Sequence, residues 1–250
     1  MSASGIRQQQ ILLIVATLAI GLAADVHTGF GGQYAISAGF WGVLFYLFGR
    51  VDRDERRAVM ACLVIATAGE IFCSLVWGLY TYRLGNIPLF VPPGHALMLL
   101  LGISLAHRVP EDAACAIIGC VAIYSLAAAA AGVDTFGAPL FLVLATASLA
   151  MPRQRRLYAS TFVLTLALEL YGTWLGNWTW AREVAGTALV TTNPPGAVGA
   201  FYCALDALVA AASLLIARRL STRTAQPSAD VLGLLRASVV SKTFSHVPAP

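Results

Sequence analysis

Two stretches decide the fold: Glu70-Ile-Phe-Cys-Ser-Leu-Val-Trp-Gly-Leu-Tyr-Thr-Tyr-Arg83, followed by Pro92-Pro93-Gly94, and Glu169-Leu-Tyr-Gly-Thr-Trp-Leu-Gly-Asn-Trp-Thr-Trp-Ala-Arg182, followed by Pro194-Pro195-Gly196. Both place a glutamate inside an apolar run. Gly-x-aromatic-Thr-aromatic, an arginine, a loop and Pro-Pro-Gly follow in the same order. Proline is tolerated in the first helical turn because its missing N–H has no partner there, so each Pro-Pro-Gly reads as a helix start. The two copies are offset by about 99 residues, the signature of an internal repeat. They diverge after the glycine, where His95 stands in the first copy and Ala197 in the second.

Working outward, the 250 residues are 58% hydrophobic and 11% charged, with mean hydropathy +0.76. A soluble domain carries about 25% charged residues. Composition therefore excludes a soluble domain, a disordered chain, a coiled coil, a collagen-like fibre and a disulfide scaffold. A bilayer core of about 30 Å needs about 20 apolar residues in a helix, and backbone in lipid must satisfy its own hydrogen bonds. Eight candidate spans follow, at 9–24, 33–49, 58–80, 94–107, 113–132, 136–151, 157–175 and 196–217. Arg7 ahead of an apolar run that ends near Ala23–Ala24 also fits a signal peptide, but the repeat needs the first helix, which is expected to be retained. The expected fold is all-α: a single membrane domain over 1–250, a polytopic bundle of about eight transmembrane helices. Two parallel four-helix repeats (about 9–107 and 113–217) precede a tail, 218–250. Four helices per half is an even number, so the halves share one orientation and the repeat axis follows the membrane normal.

The basic residues orient the bundle. With the N-terminus inside, the inner segments hold Arg7, Arg50, Arg53, Arg56, Arg57, Arg108, Arg153, Arg155, Arg156, Arg218, Arg219, Arg223, Arg236 and Lys242, and the outer loops only Arg83 and Arg182. This is a positive-inside pattern. It predicts cytoplasmic termini and a bacterial inner (plasma) membrane location. No basic run is dense enough for nucleic acid. The five cysteines lie in apolar stretches without a C-x-x-C pair; they read as small packing residues, and neither they nor the scattered histidines make a metal site. No Walker loop, dinucleotide fingerprint or Ser-His-Asp set is present, so no cofactor is expected.

Three acids fall inside spans: Glu70, Glu169 and Asp206. Glu70 and Glu169 each lie 12 residues into a span, roughly 18 Å from the cytoplasmic end at 1.5 Å per residue. Asp206 lies at a similar depth, counted from the other side. All three are expected to gather at one level. A buried charge at that depth must pair, meet water or be neutralised, and no Lys or Arg lies in a span. At least one is expected to be a neutral acid, and a donor acid with a counter-base is the chemistry such a set offers. Trp77, Tyr80, Tyr82, Trp174, Trp178, Trp180 and Tyr202 crowd the outer half. An interfacial belt explains some of them. Trp77 at i+7 from Glu70, and Tyr202 at i−4 from Asp206, are expected on the acids' own faces. Their π faces could stabilise a cation formed by protonating an alkene. His95 could shuttle a proton. Asn193, with Asn86 and Asn177, could bond a polar substrate end or cap a loop.

In its Glu…Gly-x-aromatic-x-aromatic pattern followed by a proline loop, over roughly 70–95 and 169–206, the chain resembles membrane carotenoid-modifying proteins: the carotenoid hydratases and, more distantly, the small membrane lycopene cyclases. The resemblance implies a multi-helix enzyme that protonates a polyene double bond without a redox cofactor. Glu70 and Glu169 would be its acids, with Tyr80, Tyr82, Trp178 and Trp180 as cavity or rim residues. Pro-Pro-Gly replaces the cyclases' Pro-x-Glu, and the hydratases' Pro-Phe-Gly is missing. The expected function is intramembrane acid–base chemistry (protonation, hydration or cyclisation of a double bond) on an isoprenoid or other lipid, with the lipid bilayer and a hydrophobic substrate as partners. A proton-coupled transporter and a membrane scaffold are the alternatives.

Overall fold

The computed structural model describes residues 8–225. Eight α-helices lie among them: α1 (Gln8–Asp25), α2 (Phe30–Phe48), α3 (Arg53–Glu70), α4 (Val91–Ala106), α5 (Glu111–Ala130), α6 (Gly137–Ala150), α7 (Arg155–Leu175) and α8 (Gly199–Ala225). Among the described residues, 8–210 form one compact unit, and the stretch of α8 beyond residue 210 belongs to a second. Arg7 and most of the expected tail lie outside the described residues. Each helix occupies one of the apolar stretches read from the sequence. Four are long and apolar enough to cross a bilayer: Gln8–Asp25, Arg53–Val76, Glu111–Ala130 and Gly199–Ile216.

Local chemistry sets the ends. Asp52 caps α3 by accepting from the Asp54 and Glu55 N–H groups at 2.9 and 2.8 Å, and Glu55 closes a capping box, a device that satisfies otherwise orphaned donors. Pro92 and Pro93 sit in the first turn of α4, as predicted. Gly176 closes α7 with φ +86°, a left-handed conformation that glycine adopts without strain.

Three features depart from the sequence reading. The third stretch was expected to be helical to residue 80. Instead α3 passes at Ile71–Val76 into a π-helical segment, and the helix stops there. The second Pro-Pro-Gly does not open a helix directly; turns intervene and α8 begins at Gly199. The fold is all-α as expected, with two short strands added to it. β1 (Tyr80–Tyr82) pairs antiparallel with β2 (Trp178–Trp180), Tyr80 opposite Trp180 and Tyr82 opposite Trp178. The two matching aromatic-Thr-aromatic triplets are therefore hydrogen-bonded to one another.

The core is apolar, and so is much of the exterior. Leu12, Ile20, Phe45, Val64, Ile123 and Leu149 are exposed, while Asp25, Gln33, Asp134, Thr165 and Asp206 are buried. Contiguous exposed apolar surface of this kind marks contact with a membrane or partner. α4 sits at the centre, packed against α1, α2, α3 and α7. Its buried residues run through consecutive positions from His95 to Gly102, as expected of a helix enclosed on all sides. At the arginine-rich end, Arg155 reaches Glu111 at 2.7 Å and ties the start of α7 to that of α5.

Candidate functional site

The strand pair builds the site. Successive side chains of a strand point to opposite faces. Tyr80 and Tyr82 therefore share one face of β1, and Trp178 and Trp180 share one face of β2. All four rings are buried while Thr81 and Thr179 point outward. Each strand's polar ring atoms reach the glutamate of its own motif. The Tyr80 and Tyr82 hydroxyls donate to Glu70 Oε2 at 2.9 and 2.7 Å. The Trp178 and Trp180 indole N–H groups donate to Glu169 Oε2 at 2.8 and 3.1 Å. Across the sheet, Tyr80 lies against Trp180 with ring centroids 4.7 Å apart, and Tyr82 meets Trp178 edge-on at 6.1 Å. Burial, and then the Glu70 carboxyl beside it, push the Tyr82 phenol well above its usual range, so it remains a hydroxyl donor.

The two glutamates differ in their second oxygen. Glu70 Oε1 lies 2.8 Å from His95 Nε2, so both oxygens of Glu70 are engaged. Among the described residues Glu169 Oε1 makes no hydrogen bond, and Glu169 lines both cavities at this level. His95 stacks on Tyr202 with centroids 4.6 Å apart, and its Nδ1 is buried without a partner.

The smaller cavity, about 50 Å³, lies beneath the sheet between Leu18, Phe40, Phe90, Tyr82 and Trp178. The larger, about 210 Å³, is walled by Ala66, Gly69, Cys73, Phe201, Leu205 and Leu208. Glu70, Glu169, His95, Tyr80, Trp180 and Tyr202 face both. An apolar cavity with a few convergent polar groups is the usual form of a small-molecule site.

Of the residues singled out from the sequence, Glu70, Glu169, Tyr80, Tyr82, His95, Trp178, Trp180 and Tyr202 come together here. Asp206 does not line either cavity. It is buried near Thr161, with Oδ2 unpartnered, so the expected trio is a pair with the aspartate set apart. Trp77 also stands aside; its indole donates to the Ala185 carbonyl at 3.1 Å and its ring meets Phe136. The i+7 argument fails because π-helical residues advance less per residue than α-helical ones, so Trp77 turns off the Glu70 face. Trp174 is 78% exposed beside Tyr171, an outward-facing position. Asn193 supports rather than lines: its Oδ1 accepts from the Trp180 backbone N–H at 2.9 Å and holds β2 in place.

A buried polar cluster went unrecognised. Asp25, at the end of α1, accepts from Gln33 Nε2 at 3.1 Å and Asn177 Nδ2 at 3.0 Å, and Arg83 lies 3.6 Å away. Arg83 also donates to the Asp25 and Thr28 carbonyls. Arg83 and Asn177 flank β1 and β2 in sequence, so the cluster ties the strand pair to the end of α1. The pairing of Arg83 in one motif with Arg182 in the other was the available signal. No set of three or more His, Cys, Asp or Glu suited to a metal occurs among the described residues.

No protein-family model matches the chain, and no curated protein or solved structure is significantly similar to it. The resemblance to carotenoid-modifying proteins thus rests on the motifs alone.

Proposed function

We propose that this protein is an integral membrane enzyme that performs cofactor-independent acid–base chemistry on a double bond of an isoprenoid or other lipid. The observation that carries the reading is the uneven ligation of two facing glutamates. In Glu169 both indole donors engage Oε2, as they would the carbonyl oxygen of a neutral acid. This leaves Oε1–H to donate into the cavity. The proton passes to one alkene carbon, and the cation left on the other lies among the faces of Trp180, Tyr80 and Tyr202. Such ring–cation contacts contribute about 2 kcal/mol when desolvated. The Glu70–His95 pair is the counter-base. It removes a proton from that cation, giving isomerisation; from the ring cation formed when a second double bond of the same chain attacks the first cation, giving cyclisation; or from an attacking water, giving hydration; and the proton returns across the cavity to Glu169.

The eight helices, in this reading, all cross the bilayer as two parallel four-helix repeats, with the strand pair at the outer face and both termini in the cytoplasm of a bacterial cell. The offset of the motifs, the self-pairing of β1 and β2 and the arginines at the opposite end support it. A general acid contributes roughly 10²–10⁴ in rate. Glu169→Gln keeps an acceptor for the indoles but lacks the acid, and Glu70→Gln removes the counter-base. Lipid extracts of cells producing either variant should lack the product that the wild type forms. Wild-type yields from both would refute the assignment.

A further inference from the structure

We infer that the Glu70–Glu169 cavity is loaded sideways from the bilayer, through a mouth between α3 and α8, by an apolar chain segment whose double bond is internal and remote from any headgroup. This rests on reading the cavity as a lipid-substrate site, and it specifies the substrate's form.

The cavity wall is polarised. Ile65, Ala66 and Gly69 from α3 and Ala204, Leu205 and Leu208 from α8 give an apolar side that reaches the surface at Gly69 and Leu208. The carboxyl and imidazole groups of the wall, Glu70, Glu169 and His95, are buried. Gly69 and Leu208 line the cavity and are also exposed, so they mark its mouth, and the mouth is apolar. A Cβ built on Gly69 meets no atom within 4 Å, so a larger side chain can be placed there without displacing a neighbour. Buried side chains pack around the rest of the site. The sheet and its four buried rings cover one end. Met98, Leu101, Tyr158 and Phe162 are buried along α4 and α7 toward the other.

Size limits what enters. Pockets that enclose a whole drug-sized molecule span about 300–1,000 Å³, and this one has about 210 Å³. It holds a segment of chain while the remainder stays among the lipids. No polar side chain at the mouth could hold a headgroup, and Glu169 is reached only after the apolar wall. The reacting bond is therefore within a hydrocarbon chain.

The test uses the full-length protein in phosphatidylcholine vesicles containing a long-chain alkyl diazirine. Irradiation is followed by peptide mapping of the labelled residues. The wild type should be labelled at Phe201 and Tyr202 in the cavity, as well as at lipid-facing Ile123 and Leu126 of α5. Gly69→Trp should lose the cavity labels and keep those on α5, which report a folded, inserted chain. Ala204→Phe closes the mouth from the other wall and serves if the first variant does not insert. Glu169→Gln should retain the cavity labels, since entry precedes chemistry. Lateral entry is overturned if the wild-type cavity is unlabelled, or if both mouth variants label it as the wild type does. Labels lost on blocking the mouth, beside full turnover by Glu169→Gln, would uphold the portal and sink the acid assignment.

Discussion

Replacing Gly172 by alanine should dismantle the Glu169 end of the site from the far side of a ring. Gly172 lies on α7, less than one turn beyond Glu169, and the Trp178 ring packs directly on it. A Cβ there would fall 2.1, 2.3 and 2.7 Å from three atoms of the six-membered part of the indole. The ring cannot slide outward freely, since the Asn177 N–H donates to the Gly172 carbonyl at 2.9 Å and pins the start of β2 to the helix end. Overpacking of this kind costs about 1–3 kcal/mol, and the displaced indole loses its bond to Glu169, worth about 1 kcal/mol or somewhat more. Alanine's better helix propensity returns up to about 1 kcal/mol. The net expectation is a loss of about 1–3 kcal/mol, or several degrees in Tm at roughly 2–4 °C per kcal/mol for a chain of this size. Thermal unfolding in detergent, followed by circular dichroism, measures it. Gly119→Ala on α5, where an added methyl meets nothing within 4 Å, is the matched control and should be neutral or slightly stabilising. Trp178→Phe in the Gly172→Ala background should recover part of the loss, a coupling visible in a double-mutant cycle. Equal melting of Gly172→Ala and Gly119→Ala would refute the close approach of ring and helix.

Two further outcomes are expected besides the glutamate variants. Arg83→Met strips the cation from the buried Asp25 cluster and should cost on the order of 3 kcal/mol; adding Asp25→Asn should restore much of it, and thermal melts of the single and double variants decide the matter. Tyr82→Phe removes one of the two hydroxyl donors to Glu70 Oε2 and should cost about 1–3 kcal/mol. Because the fold raises the Tyr82 phenol, its contribution is complete below the ordinary tyrosine range near pH 10. It is lost as pH rises through that value, where the unfolded chain ionises first. Alkaline unfolding should therefore begin at higher pH in Tyr82→Phe than in the wild type, once stabilities are matched at neutral pH.

The helices were legible because hydropathy is a property of contiguous residues: runs such as 91–106 and 111–130 need no partner to announce themselves. The Pro-Pro-Gly start of α4 was legible for the same reason, whereas its second copy, followed by turns, was not. The convergence of Glu70 and Glu169 could be read from the two matching motifs, since each glutamate precedes its own aromatic-Thr-aromatic triplet. What escaped was whatever depends on pairing across the chain. Tyr80-Thr81-Tyr82 and Trp178-Thr179-Trp180 alternate over only three residues each, too short for a strand signal on its own, and their register is set by each other. The rotation of Trp77 off the Glu70 face required a π-helical turn that no residue in Ile71–Val76 advertises. Asp25 looks like any helix terminus until Arg83 and Asn177, distant in sequence, close over it.

The two-stranded sheet has a mechanical consequence. Each strand carries the donors of one glutamate but borrows its backbone partner from the other motif. Lifting Tyr80 and Tyr82 away from Glu70 therefore drags on Trp178 and Trp180, and the reverse holds too. The donor sets thus behave as two hands of one clasp: released together, or not at all.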